Sequence, residues 1–133
     1  MSGLVLKLAP NERILINGAV IENGDRRTRI AVKSAHANIL RLRDAIHPDD
    51  ANTPVQRICY QAQLILSGDR PEEEGKQILL RGIEQLNQVF DDRDSRNLLT
   101  EATSSVVGGN YYRALRSLRD LLPREARLIA ARS

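Results

Sequence analysis

The chain has 133 residues, a formal net charge of +3 and only 3% aromatic residues, so Leu, Ile and Val must build its core. That length fits one domain, or a small unit with an appendage, able to bury a core without disulfides or metal. The single cysteine, Cys59, excludes an internal disulfide, and no apolar run approaches the roughly 18 residues that span a bilayer. The first ten residues have too short an apolar run and no basic leader for a signal peptide, so a soluble cytoplasmic protein with no membrane partner is expected.

The first elements are strands. Leu4, Leu6 and Leu8 alternate with Val5 and Lys7, and after a Pro10-Asn11 turn Ile14 and Ile16 flank Leu15. Two Asn-Gly pairs, Asn17-Gly18 and Asn23-Gly24, enclose the run Ala19-Val20-Ile21. Asn-Gly accepts φ > 0 at both central positions of a tight turn, so each pair predicts a hairpin, and the second would lift Arg26 and Arg27 to the tip of a β unit. Residues 29–33 and 38–42 read as further strands, and Arg41 and Arg43 alternate with Leu40 and Leu42 along the latter and just past its end. Five short strands with turn signals predict a small antiparallel sheet or barrel-like unit over residues 1–47.

The pattern changes at His47-Pro48-Asp49-Asp50. Thr53-Pro54 is a helix start, and Val55, Ile58, Cys59, Ala62 and Ile65 recur at helical spacing until Ser67-Gly68. A second helix begins at Asp69 or Pro71, with Glu72, Glu73 and Glu74 at the positive end of its dipole and Leu79, Ile83, Leu86 and Phe90 as its apolar stripe. Gly75 and Gly82, seven apart, share a face: either another helix approaches there, or both are tolerated surface glycines. A third helix is expected over 95–107, a fourth capped by Asn110, and a last basic segment after Pro123. The predicted fold class is therefore α+β: a β-rich unit over 1–47, a candidate RNA-binding unit, and an all-helical region over 48–133, a candidate protein-interaction or dimerisation unit.

Catalytic and ligand motifs fail on spacing. Gly68 to Lys76 ends in Gly-Lys, but six residues separate its glycines and three of them are glutamates, so it would not cradle a phosphate. Asp91, Asp92 and Asp94 open like a calcium loop, yet the loop's glycine is absent and Thr103 stands where the bidentate glutamate belongs. His36 and His47 have no partner at metal-ligand spacing, and Cys59 lies on an apolar helix face. No catalytic residue, metal site or cofactor is expected, and the chain does not read as an enzyme.

What remains is charge, and it is segregated. Residues 1–47 carry eight Lys/Arg against four acids, residues 48–109 six against eleven, and residues 110–133 six against two. Arg predominates over Lys, and its planar fork of donors suits phosphate and base edges. A GC-rich genome would account for the bias towards Arg, not for its segregation. The candidate anion-binding residues are Lys7, Arg26, Arg27, Arg29, Lys33, Arg41 and Arg43; the bland reading of the same residues is a solvated β face. Arg113, Arg116 and Arg119 recur every three residues on the fourth helix as a second anion-facing surface, a partner-helix contact or solubilising charge.

Three blocks carry a resemblance: L-K-L-A-P-N-E-R-I-L-I-N-G-A-V-I-E-N-G-D-R-R over 6–27, T-P-V-Q-R-I over 53–58 and N-Y-Y-R-A-L over 110–115. Together they resemble the FlbT family of flagellin regulators. The resemblance implies a cytoplasmic bacterial protein that acts post-transcriptionally, associating with the 5′ untranslated region of flagellin mRNA to block translation or promote decay. Residues 4–46 are also similar to the carbon storage regulator family, in Asn11-Glu12, Leu15-Ile16, R-I-A-V over 29–32 and L-R-D-A-I over 42–46. Arg43 falls where that family has its RNA-contacting arginine, whereas Leu8 and Ala9 stand where it has arginines. The expected partner is thus the flagellin mRNA leader. The alternative is a protein-binding adaptor or chaperone-like assembly regulator that engages flagellin or another flagellar regulator and touches RNA only indirectly. Unpaired edges on so small a sheet also leave room for a homodimer.

Overall fold

The computed structural model describes residues 4–34 and 36–132. As the alternation predicts, five short strands come first and helices follow, giving an α+β chain. β1 (Leu4–Leu8) pairs antiparallel with β4 (Thr28–Val32), and β2 (Arg13–Ile16) lies between β3 (Ala19–Glu22) and β5 (Ile39–Arg41). The β1–β4 ribbon turns Leu6 and Leu8 inward, and the three-stranded sheet adds Ile14, Ile39 and Leu40.

The two Asn-Gly pairs behave differently. Asn17 and Gly18 both have positive φ, at 50° and 84°, and close the β2–β3 hairpin as expected. Asn23-Gly24 forms no hairpin, because β4 leaves β3 to pair with β1. The Asn23 side chain replaces the missing ladder: its Nδ2 donates to the carbonyls of Ala9 (2.8 Å) and Arg26 (2.9 Å), and Thr28 Oγ1 donates to its Oδ1. Arg26 and Arg27 therefore sit on a pinned crossing between two sheets, not on a hairpin tip. The last strand also ends early. Residues 42–44 form a turn of 3-10 helix, so the alternation expected through residue 42 breaks after Arg41.

The helices are α1 (Pro54–Ser67), α2 (Glu72–Asn87), α3 (Arg93–Val107), α4 (Tyr111–Arg119) and α5 (Leu122–Ala131). Thr53 opens α1 with a full capping box, its Oγ1 accepting from Gln56 N while Gln56 Oε1 accepts from Thr53 N. Gly68, at φ 85°, closes α1. Asp92, among the acids that superficially suggest a calcium loop, caps α3 by accepting from Ser95 N at 2.9 Å, so α3 starts two residues earlier than its apolar spacing indicates. Gly75 and Gly82 are both buried against α1. A Cβ at Gly75 would stand 2.5 Å from Ile65 Cδ1, and one at Gly82 2.0 Å from Ile58 Cδ1. The glycines are thus what lets α2 lie against the Ile58–Ile65 ridge.

One apolar cluster runs through the molecule, from Leu6, Leu8 and Ile14 in the strands to Val55, Leu79, Leu99, Leu118 and Leu121 in the helices. Cys59 lies inside it, and burial pushes its thiol up to about 12, so it stays protonated at neutral pH. Among the described residues, no helix is long and apolar enough to cross a membrane.

Candidate nucleic-acid interface

The packing of α4 beside the strands creates a crevice of about 550 Å³, with β1 on one side and α4 on the other. Lys7, Arg27, Arg41, Arg43, Arg116 and Arg119 line it. Four come from the β unit and two from α4, so residues more than seventy positions apart in sequence face one space. Low-dielectric walls carrying one predominant charge focus field into such a crevice. Two acids, Asp44 and Asp120, also line it.

These cations are not equivalent. Arg41 is nearly inaccessible, its side chain 9% exposed against 5% for Glu12. Its Nε donates to Glu12 Oε2 at 2.7 Å, and its Nη2 donates to Glu12 Oε1 and to the Lys7 carbonyl, both at 2.7 Å. These hydrogen bonds hold the Glu12 carboxyl down at about 2 against an ordinary 4.5. Arg41 therefore ties β5 to the β1–β2 turn and offers little to a ligand. Arg119 is held by the 42–44 turn, with Nη1 donating to the Asp44 carbonyl at 3.2 Å and Nη2 lying 3.6 Å from its carboxylate. Arg43 lies 3.8 Å from Glu12 and 4.0 Å from Asp44 and keeps more than half its side chain exposed.

Lys7, Arg27 and Arg116 have no carboxylate within ion-pair distance among the described residues. Lys7 sits directly opposite Arg29 on β4, so the two share the outer face of the ribbon. Like charges directly opposite across a ladder are destabilising, and an anion laid over them would relieve the repulsion. Arg26, Arg29 and Lys33 are exposed but do not line the crevice. Lys33 follows β4 at the far end of the ribbon, about 20 Å along the chain direction from Arg27 at 3.3–3.4 Å per residue. Of the seven candidates, the fold gathers Lys7, Arg27, Arg41 and Arg43 and leaves Arg26, Arg29 and Lys33 on adjoining surface.

The residues 4–129 match the family model described as "Flagellar protein FlbT". The chain belongs to the FlbT family. Among its curated relatives, a probable flagellum biosynthesis repressor protein FlbT of Rhodopseudomonas palustris (strain TIE-1) is 38% identical over 129 residues, covering 96% of this chain and 98% of the relative. A protein of the same description from Bradyrhizobium diazoefficiens is 32% identical, over 94% of this chain and 84% of its own length. One from Brucella anthropi is 29% identical, over 96% and 83%. No solved structure is a significant match.

Within this FlbT-family fold, the contribution of α4 is what sequence reasoning under-weighted. Its signal was the three-residue recurrence Arg113, Arg116, Arg119, on the side of the helix away from the buried Tyr111, Ala114, Leu115 and Leu118. Periodicity shows that those arginines face outward. Only the packing of α4 on α1 and α3 shows that two of them face Lys7 and Arg27. The described residues hold no cluster of three His, Cys, Asp or Glu side chains suited to a metal ion.

Proposed function

We propose that this chain represses flagellum biosynthesis after transcription, by binding the leader of flagellin mRNA along the crevice between β1 and α4. The observation that carries the reading is the convergence of Lys7, Arg27, Arg43 and Arg116 on one space, three of them without a carboxylate partner among the described residues. The description of the relatives as flagellum biosynthesis repressors supports the biological direction. Phosphate contacts position the strand, and because Tyr112, the aromatic that lines the crevice among the described residues, is buried, arginine planes and backbone groups contact the bases. The reading assigns the chain no catalysis and places its action in the cytoplasm, with the message.

The test is a mobility-shift titration of purified full-length protein with flagellin leader RNA at several salt concentrations. Wild-type affinity falls linearly on a log–log plot against salt, with a slope of about −0.7 per phosphate neutralised on single strands. Changing Arg27, Arg43 and Arg116 to Ala together lowers affinity and flattens that slope by about 2. Unchanged affinity in the triple variant, with its fold intact, would remove this crevice from the mechanism.

A further inference from the structure

We infer that the RNA path continues over α4 into a second subsite for the phosphodiester backbone, a crevice of about 570 Å³ between α3 and α4. The inference rests on the proposed function of the first crevice and extends it. Arg116 lines both crevices and forms the crossing point. Arg113, one turn earlier on α4, lines only the second; it is exposed and has no carboxylate partner among the described residues. Side chains three apart on a helix are neighbours, about 5–6 Å between Cβ atoms, so the two arginines form successive steps of one track.

The hydroxyls of the second crevice add solvent-accessible donors of the kind a phosphate oxygen accepts from. Ser104, Ser105 and Ser117 line it, and their Oγ atoms have no hydrogen-bond partner among the described residues. Thr100, which also lines the crevice, and the nearby Thr103 are committed instead, Thr100 Oγ1 donating to the Arg96 carbonyl and Thr103 Oγ1 to the Leu99 carbonyl. Three uncommitted donors beside two uncommitted guanidinium groups match the acceptor-rich oxygens of a phosphodiester. Glu101 and Asp120 also line this space. A carboxylate repels phosphate but accepts from a ribose 2′-hydroxyl, a donor that DNA lacks. The mixture therefore fits an RNA strand better than a simple anion.

The experiment measures anisotropy of a series of flagellin-leader fragments of increasing length, with the full chain as wild type, Arg113→Ala, Arg113→Lys and Ser104→Ala/Ser117→Ala. Arg113→Ala should leave the shortest binding fragment unaffected. It should weaken the longer ones about two- to fivefold, as expected for an exposed charge contact, and lower their salt slope by about 0.7. Arg113→Lys should restore the slope, and the double serine variant should weaken only the long fragments. A long DNA of the same sequence should gain less from added length than the RNA. If Arg113→Ala matches wild type at every length, in affinity and slope, the second subsite is wrong while the first stands. If wild type binds no fragment, the first crevice and the second fall together.

Discussion

Replacing Arg41 with Met tests whether this arginine holds the fold together or serves the ligand. The substitution keeps most of the aliphatic bulk but leaves the Glu12 carboxylate, 5% exposed, without its two guanidinium donors. With Glu12 held at about 2 in the folded chain and 4.5 as its ordinary value, chiefly by the Arg41 hydrogen bonds with smaller help from the Ala9 N–H and Arg43, the shift is worth roughly 3 kcal/mol at neutral pH. That agrees with the roughly 3–5 kcal/mol lost when one partner of a buried pair is removed. A depressed carboxylate contributes stability that is fully present above 4.5 and lost as pH falls through about 2. At pH 3 the linkage relation leaves only roughly 1 kcal/mol, so the gap between wild type and Arg41→Met should shrink by about half or more between pH 7 and pH 3. Urea unfolding at both pH values measures it, and a thermal scan at pH 7 should show a midpoint lowered by about 10 °C. A pH 7 gap below about 1 kcal/mol, or one that does not narrow at pH 3, would refute the assignment of Arg41 to the fold.

Three further outcomes follow from particular contacts. Asp120 lines both basic crevices, and its carboxylate has no partner among the described residues, so Asp120→Asn should tighten leader RNA binding by about two- to fivefold at low salt, an advantage that 0.5 M salt erases; weaker binding would assign the carboxylate a direct contact instead. Gly75→Ala should destabilise by about 1–2 kcal/mol in urea unfolding, because the buried Ile65 cannot move aside, and overpacking outweighs a helix gain of about 0.8–1 kcal/mol. Gly82→Ala should be near neutral, since the half-buried Ile58 can swing its Cδ1 away, and equal losses at the two sites would contradict that reasoning. Glu125, buried on α5, accepts from Thr53 Oγ1 and from Val55 N at 2.9 Å; Glu125→Ala should cost about 1–3 kcal/mol and raise hydrogen exchange at the start of α1 and along α5, which unchanged exchange would disprove.

Local rules carried most of the fold. The capping box at Thr53, the left-handed Gly68 and the Asn110 cap each lie at the position where sequence places them, because a helix end is governed by the few residues around it. Asn17-Gly18 succeeded for the same reason. Asn23-Gly24 did not, because what decides its conformation is non-local: β4 finds its partner in β1, some twenty residues earlier, and the Asn23 amide serves the Ala9 carbonyl instead of a turn. Arg41 shows the same limit at the candidate site. Strand alternation groups it with Arg43, but Glu12, 29 positions away, draws it inward and makes it structural.

The distinction between engaged and free arginines bears on the charge pattern itself. A genome biased towards Arg would scatter guanidinium groups without regard to partners. In the fold, the acidic middle of the chain neutralises part of the basic C-terminal part: Arg124 lies 3.1 Å from Asp92 and 3.9 Å from Asp94, while within that middle Arg70 pairs with Glu74 and Arg96 approaches Asp91. Tyr111 donates to Glu72 at 3.0 Å, turning another acid inward on the helical region. None of those acids reaches Lys7, Arg27, Arg113 or Arg116. Arg81 and Arg93 also have no carboxylate partner among the described residues, but they line neither crevice. The basic ends of the sequence, separated by its acidic centre, thus each contribute cations to adjoining crevices, where Lys7, Arg27, Arg113 and Arg116 have no carboxylate partner among the described residues. A face of that kind raises the energy of the free protein through self-repulsion, and binding a polyanion releases it.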